Sequence, residues 1–345
     1  LFVSINSSLK GYSALSLGNI VGSNIMNIAL ILGISAIILP INSTKEIVKR
    51  EIPFMIAVTS LFWIFARTDS RITPNEGLIL IAVFVIYNIT IYLLSKKESK
   101  LTEECIEETN KIVSITKWDI KEEPSEEPKT AENPNETPKT DADSNKNNSH
   151  NSKTLLNIMT IVGGLIGLTI GSELLVKSAI NIAVSLGINT EIIGLTLVAI
   201  GTSIPELATS IIASKKGESE ISVGNVLGSN IFNITVVVGI VAIIPLFYQN
   251  PGLNLNLDVS QQMLTINIPI ILVFSVILLP IMLTDMMISR KEGFFFLVIY
   301  ICYTIMLIQN SVKTTDITNQ NQVPAVQEEA NNIPSASSPI QLPSN

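Results

Sequence analysis

Three oxygen-bearing side chains in strongly apolar surroundings are the candidates for chemistry in this sequence: Glu206, Asn27 and Asn233. An ionised carboxylate inside a membrane is costly unless it is paired or liganded, so such residues mark functional sites by default. Carboxylate, amide and hydroxyl oxygens suit hard cations such as Na⁺ and Ca²⁺ and are poor ligands for zinc or copper. The sequence therefore predicts a cation site. The alternatives are a neutral, hydrogen-bonded Glu206 and asparagines that only join helices.

The candidate glutamate follows a segment in which the helical hydrogen-bond pattern is interrupted. In residues 194–207, GLTLVAIGTSIPEL, Pro205 lacks an N–H and clashes with the carbonyl four residues earlier, at Gly201. A freed carbonyl in the bilayer is tolerated only where another group satisfies it. We therefore expect the helix to break near Pro205, with the hydroxyls of Thr202 and Ser203 at the break.

The two candidate asparagines occupy equivalent positions of an internal repeat. Residues 1–34 align without a gap on residues 207–240, and 18 of the 34 positions are identical. Shared hydrophobicity alone would not place the same Asn, Ser and Gly residues in both copies. The identical pairs include Gly18/Gly224, Asn19/Asn225, Gly22/Gly228, Ser23/Ser229, Asn24/Asn230 and Asn27/Asn233. We interpret the Asn27/Asn233 pair as ligands, and the Asn24/Asn230 and Asn19/Asn225 pairs as packing or helix-cap groups.

Hydropathy and segment length predict an all-α membrane protein. The chain is 47% hydrophobic with a mean hydropathy of +0.46. A bilayer core of about 30 Å needs about 20 mostly apolar residues per helix. The segments that meet this requirement are 13–41, 51–66, 77–95, 154–180, 187–214, 221–247, 263–285 and 293–310. We therefore predict eight spans, with residues 1–9 as the end of a further one.

Basic residues in the short loops predict the orientation of these spans. They cluster in alternate connections: residues 45–50, 96–153, 215–216 and 290–291. We place these connections in the cytoplasm, which puts Lys10 outside and its repeat equivalent, Lys216, inside. The two copies then run through the membrane in opposite directions. Inverted repeats are typical of alternating-access transporters, whose substrate site lies near the midplane.

The sequence contains two polar stretches. One lies between the two groups of predicted membrane spans, and the other follows the last span. Residues 101–150 contain 13 acidic and 6 basic residues, which accounts for the net charge of −7 of the whole chain. We predict an N-terminal repeat over 1–95, a disordered acidic cytoplasmic linker over 96–153, a C-terminal repeat over 154–310 and a disordered tail over 311–345. The membrane part carries no net charge, and we predict no nucleic-acid partner.

The repeat motifs resemble those of a known family. GTSIPEL at 201–207, followed by SVGNVLGSNIFNI at 222–234, resembles the second alpha repeat of the cation/calcium exchanger superfamily. LGNIVGSNIMNIALILG at 17–33 resembles the later part of the first repeat. Within the superfamily the match is to prokaryotic sodium/calcium exchangers, since proton-coupled members carry GNAxE in place of GTSxPE. The resemblance covers all the membrane segments.

The resemblance implies roles for the residues around the proline. It implies that Glu206 binds both Ca²⁺ and Na⁺. It also implies that the Thr202 carbonyl contacts Ca²⁺. The Ala199 carbonyl and the Ser203 hydroxyl would contact Na⁺.

The resemblance also implies roles for the repeated serines and asparagines. Ser23 and Ser229 would complete flanking Na⁺ sites, with Asn27 and Asn233 at the centre. The position of Asn233 is Asp in some relatives and Asn in others. An amide there leaves fewer titratable groups, which favours Na⁺ coupling over H⁺ coupling.

One part of the family pattern is absent from the sequence. The first repeat should also contain GTSxPE, and the 206-residue offset places its glutamate immediately before Leu1. We infer an N-terminally truncated inverted-repeat transporter of ten transmembrane helices when complete, with about eight and a half present here. The alternatives are a Ca²⁺/H⁺ or other divalent cation exchanger of the same fold, and a truncated membrane fragment that transports nothing.

The expected activity is secondary active antiport of Ca²⁺ against Na⁺. No arrangement of nucleophile, base and orienting group is visible, so the sequence does not predict an enzyme. Ca²⁺ and Na⁺ are expected as transported substrates, and no cofactor is expected. We expect a monomeric, multi-pass integral protein of the plasma membrane, surrounded by lipid.

Overall fold

The computed structural model describes residues 1–116, 146–248 and 253–309, most of which are helical. Among these residues, seven helices are long and apolar enough to cross a membrane: Ser13–Ile38, Pro74–Lys96, Val162–Leu186, Thr190–Lys215, Ser219–Phe247, Met263–Asp285 and Arg290–Gln309. The predicted class, an all-α membrane protein, is confirmed.

The described helices are numbered in chain order. They are α1 (Phe2–Leu9), α2 (Ser13–Met26), α3 (Gly33–Ile38), α4 (Ile52–Asp69), α5 (Pro74–Thr116), α6 (Lys146–Leu186), α7 (Thr190–Ile193), α8 (Ala199–Lys215), α9 (Ser219–Phe232), α10 (Val238–Phe247), α11 (Ile268–Asp285) and α12 (Arg290–Gln309). The π-helical segments are Asn27–Leu32, Ile47–Glu51, Gly194–Val198, Asn233–Val237 and Met263–Asn267. The short strands are β1 (Ile41–Asn42), β2 (Arg71–Ile72), β3 (Leu257–Asp258) and β4 (Met287–Ile288).

The chain divides into two compact units. The larger unit comprises Leu1–Ile81 and Thr169–Asn345, and it holds all the candidate site residues. The smaller unit is Ala82–Leu168. Where it is described, the smaller unit consists of the later part of α5 and the first part of α6.

The internal repeat continues beyond the first 34 residues, with its offset increased from 206 to 216. Helices α4 and α11 correspond at this larger offset, and each has a proline as its second residue. Each also ends at a non-glycine residue with a left-handed backbone, Ser70 with φ 53° and Met286 with φ 52°. The two copies therefore share local backbone geometry as well as sequence.

Helices α5 and α12 begin with the same capping box. Thr73 N donates to Glu76 Oε2 at 2.7 Å, and Glu76 N donates to Thr73 Oγ1 at 3.4 Å. Ser289 and Glu292, 216 residues later, form the same two bonds at 2.7 Å and 3.4 Å. Local sequence therefore specifies the start of α5 and the start of α12 in the same way.

Contacts between the two copies are reciprocal. Strand β1 pairs with β4, and β2 pairs with β3, so the repeat exchanges the two small sheets. Two contacts between glycines are reciprocal as well. A Cβ on Gly33 would lie 3.0 Å from the Gly293 carbonyl oxygen, and a Cβ on Gly239 would lie 2.8 Å from that of Gly77. Such exchange of contacts is expected of two copies related by a two-fold axis.

One predicted span differs from the structure. Residues 51–66 are predicted to cross the membrane, and α4 does form there as an 18-residue helix. Its last turn contains Arg67 and ends at Asp69, and α4 is not among the seven helices that qualify as spans. The other seven predicted spans each match a qualifying helix.

The ends of the predicted linker are helical. Helix α5 continues to Thr116 and α6 begins at Lys146, so residues 96–116 and 146–153 lie in these two helices. The Lys, Glu, Leu and Ile residues in the first of these segments include good helix formers. Residues 117–145 and the tail from 310 lie outside the described residues, and their disorder stays a prediction.

Candidate cation site

Three parts of the chain contribute to the candidate site. The first is α8. The other two are α2 and α9, each with the π-helical segment that follows it. Asn27 is the first residue of one of these π-helical segments, and Asn233 is the first residue of the other. π-Helical turns are rare and are frequently found at functional sites. Both candidate asparagines therefore lie at matched irregularities in the two repeats.

The asparagines of the two repeats form reciprocal hydrogen bonds. Asn27 Nδ2 donates to Asn230 Oδ1 at 2.9 Å, and Asn233 Nδ2 donates to Asn24 Oδ1 at 3.1 Å. Because Asn24 and Asn27 are equivalent to Asn230 and Asn233, the repeat exchanges the two bonds. Asn24 and Asn230 are thus not helix caps: each holds the candidate ligand of the other repeat.

The amide of Asn27 leaves its oxygen unused. The residue is 1% exposed, and among the described residues its Oδ1 has no hydrogen-bond partner. Buried polar atoms are almost always hydrogen-bonded, so an unpartnered carbonyl oxygen requires an explanation. A cation would provide one, because amide oxygens are suitable ligands for hard cations.

Glu206 of α8 also has a free oxygen. Its side chain is half-buried, and within the described part of the chain the enclosed Oε2 has no hydrogen-bond partner. The ion pairs of that part join Lys177 and Lys10 to Glu173, at 3.1 Å and 3.5 Å, and do not involve Glu206. The carboxylate is therefore available to a cation.

Helix α8 does not break at Pro205, and that prediction is wrong. The helix runs without interruption from Ala199 to Lys215. Proline removes a single hydrogen bond, the one to the Gly201 carbonyl, and the bonds on either side keep the helix together. The irregularity lies earlier, in the π-helical segment Gly194–Val198 directly before α8.

The Thr202 hydroxyl connects α8 to α2. Its Oγ1 lies 2.9 Å from Asn19 Oδ1 and 3.2 Å from Ser23 Oγ. It also lies 3.0 Å from the Val198 carbonyl and 3.2 Å from the Ala199 carbonyl. The structure therefore brings the Thr202 hydroxyl, the Ser23 hydroxyl and the Ala199 carbonyl together, whereas these bonds do not involve the Thr202 carbonyl that the resemblance implies as a ligand. Asn19, interpreted from sequence as a packing or cap group, joins two helices.

The remaining candidates are less closely defined. Ser203 is buried and Ser229 is half-buried. Asn225, the repeat equivalent of Asn19, has an enclosed Nδ2 without a partner among the described residues. The ligand roles of Ser203 and Ser229 rest on the resemblance alone.

A close backbone contact sets the distance between α2 and the segment that leads into α8. A Cβ on Gly18 would approach the Glu191 carbonyl oxygen too closely and would lie 3.1 Å from Gly194 Cα. Glycine at both positions lets the two backbones cross, as small residues do in membrane helix packing. This approach lets the short Thr202 side chain reach Asn19.

Comparison with known proteins agrees with this architecture. The family model described as sodium/calcium exchanger protein matches residues 1–93 and 156–309. The putative antiporter CaxA of Alkalimonas amylolytica is 33% identical over 244 residues, which is 71% of this chain and 65% of the relative. The chain thus spans slightly less than two thirds of that relative. The sodium/calcium exchanger MaX1 of Methanosarcina acetivorans is 31% identical over 308 residues, covering 88% of this chain and 83% of the relative.

The fold is also similar to a solved structure. The sodium-calcium exchanger NCX_Mj, in crystals soaked with Na⁺ and Sr²⁺, superimposes with a TM-score of 0.54 at 26% identity. The superposition covers 87% of this chain and 79% of that one. With its apolar helices, the chain is a multi-pass integral protein of the cell membrane. The match of the family model over both helical parts shows that it belongs to the sodium/calcium exchanger protein family.

Proposed function

We propose that the protein is a secondary active antiporter that exchanges Ca²⁺ for Na⁺ by alternating access. Its cation site would combine the Glu206 carboxylate with the amide oxygens of Asn27 and Asn233. The further ligands would be the Thr202 and Ala199 carbonyls and the hydroxyls of Ser203, Ser23 and Ser229. All of these are oxygen ligands, as Ca²⁺ and Na⁺ require.

The observation that carries this proposal is a pair of enclosed, unpartnered oxygens on elements of opposite repeats. Asn27 Oδ1 belongs to the predicted N-terminal repeat over 1–95, and Glu206 Oε2 belongs to the predicted C-terminal repeat over 154–310. Burying a carboxylate without a partner is costly, and its charge makes the cost larger than for a neutral group. A cation between the repeats would satisfy both oxygens at once.

The charge of Glu206 supplies a physical basis for coupling. An empty, ionised carboxylate keeps its water, so enclosing the site would carry the full desolvation cost. A bound cation offsets the negative charge and lowers that cost. The two repeats can then exchange their inward-facing and outward-facing arrangements only when loaded, which couples the movement of one ion to that of the other.

Sodium rather than proton coupling is favoured by the chemistry of the proposed ligands. Asn27 and Asn233 do not titrate, so Glu206 is the one ionisable side chain among the eight proposed ligand residues. The relatives MaX1 and NCX_Mj carry sodium and calcium in their names. A Ca²⁺/H⁺ exchanger is the alternative that the test must separate.

The test is uptake of radioactive Ca²⁺ into liposomes that contain the purified protein. We expect an outward Na⁺ gradient to drive uptake and a pH gradient alone to drive none. Uptake driven by pH alone would support the proton-coupled alternative, and no uptake under either gradient would contradict antiport. Glu206→Gln should abolish uptake. Glu218→Gln, which changes an exposed acid between α8 and α9, is the matched control and should leave uptake unchanged.

A further inference from the structure

We propose that Asn19 and Ser4 are positioning residues that hold the Thr202 hydroxyl, and with it the proposed ligands of α8, against α2. Neither residue is a proposed ligand, and Ser4 lies on a third helix, α1. The inference rests on the proposed function, because it concerns what keeps ligands from two helices at a fixed distance. It follows from the bonds of a single buried amide, that of Asn19.

The Thr202 hydroxyl has more acceptors around it than it can serve. Its Oγ1 lies 2.9 Å from Asn19 Oδ1, 3.0 Å from the Val198 carbonyl and 3.2 Å from the Ala199 carbonyl. A hydroxyl carries one proton, so these oxygens compete for it. Threonine within a helix readily donates to the carbonyl four residues earlier, which here is that of Val198. The acceptor on Asn19, at the shortest of the three distances, therefore draws the proton out of α8 and towards α2.

The bond to Asn19 keeps two proposed ligands next to each other. The Ala199 carbonyl of α8 and Ser23 Oγ of α2 each lie 3.2 Å from Thr202 Oγ1, so both surround one hydroxyl. Without Asn19 the hydroxyl would turn to the carbonyls of its own helix, and α8 would lose a direct bond to α2. Residues that orient metal ligands without touching the metal change its affinity by about 10- to 100-fold when they are mutated. Asn19 has this position relative to the proposed cation site.

Asn19 can hold Thr202 because its own amide is held at both ends. Oδ1 accepts from Thr202, and Nδ2 donates to Ser4 Oγ at 2.9 Å. Asn19 is 4% exposed and Ser4 is fully buried, so water does not compete for their bond. By contrast, Asn24 and Asn27 each leave one amide atom without a partner among the described residues. The acceptor that Asn19 presents to Thr202 is therefore fixed in place.

Ser4 is in turn fixed to the same helix as Asn19. Its backbone carbonyl accepts from Ser16 Oγ at 2.9 Å, and its hydroxyl accepts from Asn19 Nδ2. Ser16 and Asn19 lie three residues apart on α2, which puts their side chains on the same face of the helix. The two bonds hold α1 along this face. The hydrogen bonds thus run from Ser4 through Asn19 to Thr202, across three helices, and end beside the proposed ligands.

The test is Ca²⁺ uptake by liposomes that contain the purified full chain. Asn19→Leu keeps a side chain of similar size and removes both polar ends of the amide. We expect this variant to need about tenfold more Ca²⁺ for half-maximal uptake, because the ligands of α8 and α2 are no longer held together. Its maximal rate should stay within about twofold of the wild type, since no proposed ligand is removed. An unchanged Ca²⁺ requirement would overturn the proposal.

A milder pair of variants keeps the proposal testable even if Asn19→Leu fails to fold. Ser4→Ala removes the acceptor for Asn19 Nδ2 and should raise the Ca²⁺ requirement about threefold, as expected for the loss of one hydrogen bond. Ser7→Ala is the matched control on α1. Ser7 is equally buried, and among the described residues its hydroxyl bonds to carbonyls of its own helix, those of Val3 at 2.9 Å and Ser4 at 3.1 Å. Ser7→Ala should keep the wild-type requirement, and equal requirements in the two variants would contradict a positioning role for Ser4.

A combined variant shows whether Asn19 acts through Thr202. If it does, Asn19→Leu should not raise the Ca²⁺ requirement of Thr202→Val any further, whereas independent effects would multiply and would contradict the proposal. A wild-type protein that takes up no Ca²⁺ would instead contradict the proposed function. In that case the Tm values of Ser4→Ala, Asn19→Leu and the double variant still test the bond between the two residues. Additive losses of Tm would overturn it, and a double loss smaller than the sum would support it.

Discussion

Gly22 of α2 lies directly against the backbone of Leu195, in the π-helical segment before α8. A Cβ on Gly22 would stand 2.5 Å from the Leu195 carbonyl oxygen and 2.7 Å from Leu195 Cα. No side chain fits at these distances. The contact holds α2, which leads into Asn27, against the segment that leads into Glu206. The position of two proposed ligands therefore depends on a glycine that binds nothing itself.

The repeat provides a matched test of this contact. Gly22→Ala should lower the Tm strongly, because the Cβ would collide with backbone that can yield only by separating the helices. At its repeat equivalent, Gly228, a Cβ would meet no atom of the described residues within 4 Å. Gly228→Ala should therefore leave the Tm unchanged or raise it slightly, since alanine favours a helix by up to about 1 kcal/mol. Equal responses in thermal unfolding would contradict the close contact.

The duplicated capping boxes predict equal effects in the two halves. Thr73→Ala and Ser289→Ala each remove the hydroxyl that accepts from the glutamate N–H, at 3.4 Å in both boxes. Each should cost about 1 kcal/mol of unfolding free energy, as expected for the loss of a helix cap. Thr68→Ala is the control, because the exposed Thr68 hydroxyl only bonds to the carbonyl four residues earlier. An effect of Thr68→Ala as large as the other two would argue against a capping role.

Sequence was sufficient where the chemistry is local or repeated. Glu206 could be proposed as a ligand because a carboxylate in an apolar segment has few explanations. Asn27 and Asn233 could be proposed because the same residue recurs at the same place in both copies. The spans predicted at 77–95 and 293–310 start three residues after the helices do, because the capping boxes at Thr73 and Ser289 lie outside the apolar segments. These features need no knowledge of how the two copies meet.

Sequence was insufficient where the contact depends on the arrangement of the copies. The hydrogen bonds that Asn24 and Asn230 accept connect residues more than 200 positions apart, and the choice of partner becomes visible only when α2 lies against α9. The effect of Pro205 is smaller than its sequence context predicts, because one missing bond does not end a helix whose other bonds persist. The π-helical segment at Gly194–Val198 has no comparable signal in the residues themselves.

The buried pair of Tyr303 and Asn267 should contribute to stability. Tyr303→Phe removes the hydroxyl that donates to Asn267 Oδ1 at 3.0 Å and leaves that oxygen unpartnered in a site where the asparagine is fully buried. The expected cost is about 1–3 kcal/mol of unfolding free energy. Tyr248→Phe, at an exposed tyrosine, should cost little. Denaturation of the two variants in the same detergent provides the measurement, and equal stability would contradict a structural role for the bond.

The hydroxyl of Thr202 provides the sharpest test of how α8 is positioned. Thr202→Val keeps the branched shape and removes the oxygen that lies 2.9 Å from Asn19 Oδ1 and 3.2 Å from Ser23 Oγ. Thr202→Ser keeps the oxygen and removes a methyl group. If the hydroxyl holds the proposed carbonyl ligands in place, the valine variant should need about tenfold more Ca²⁺ for half-maximal uptake, equivalent to about 1.4 kcal/mol. The serine variant should stay within about twofold of the wild type, because its hydroxyl can form the same bonds. Similar Ca²⁺ requirements in both variants would mean that packing of the methyl group, and not the hydrogen bond to α2, positions this part of α8.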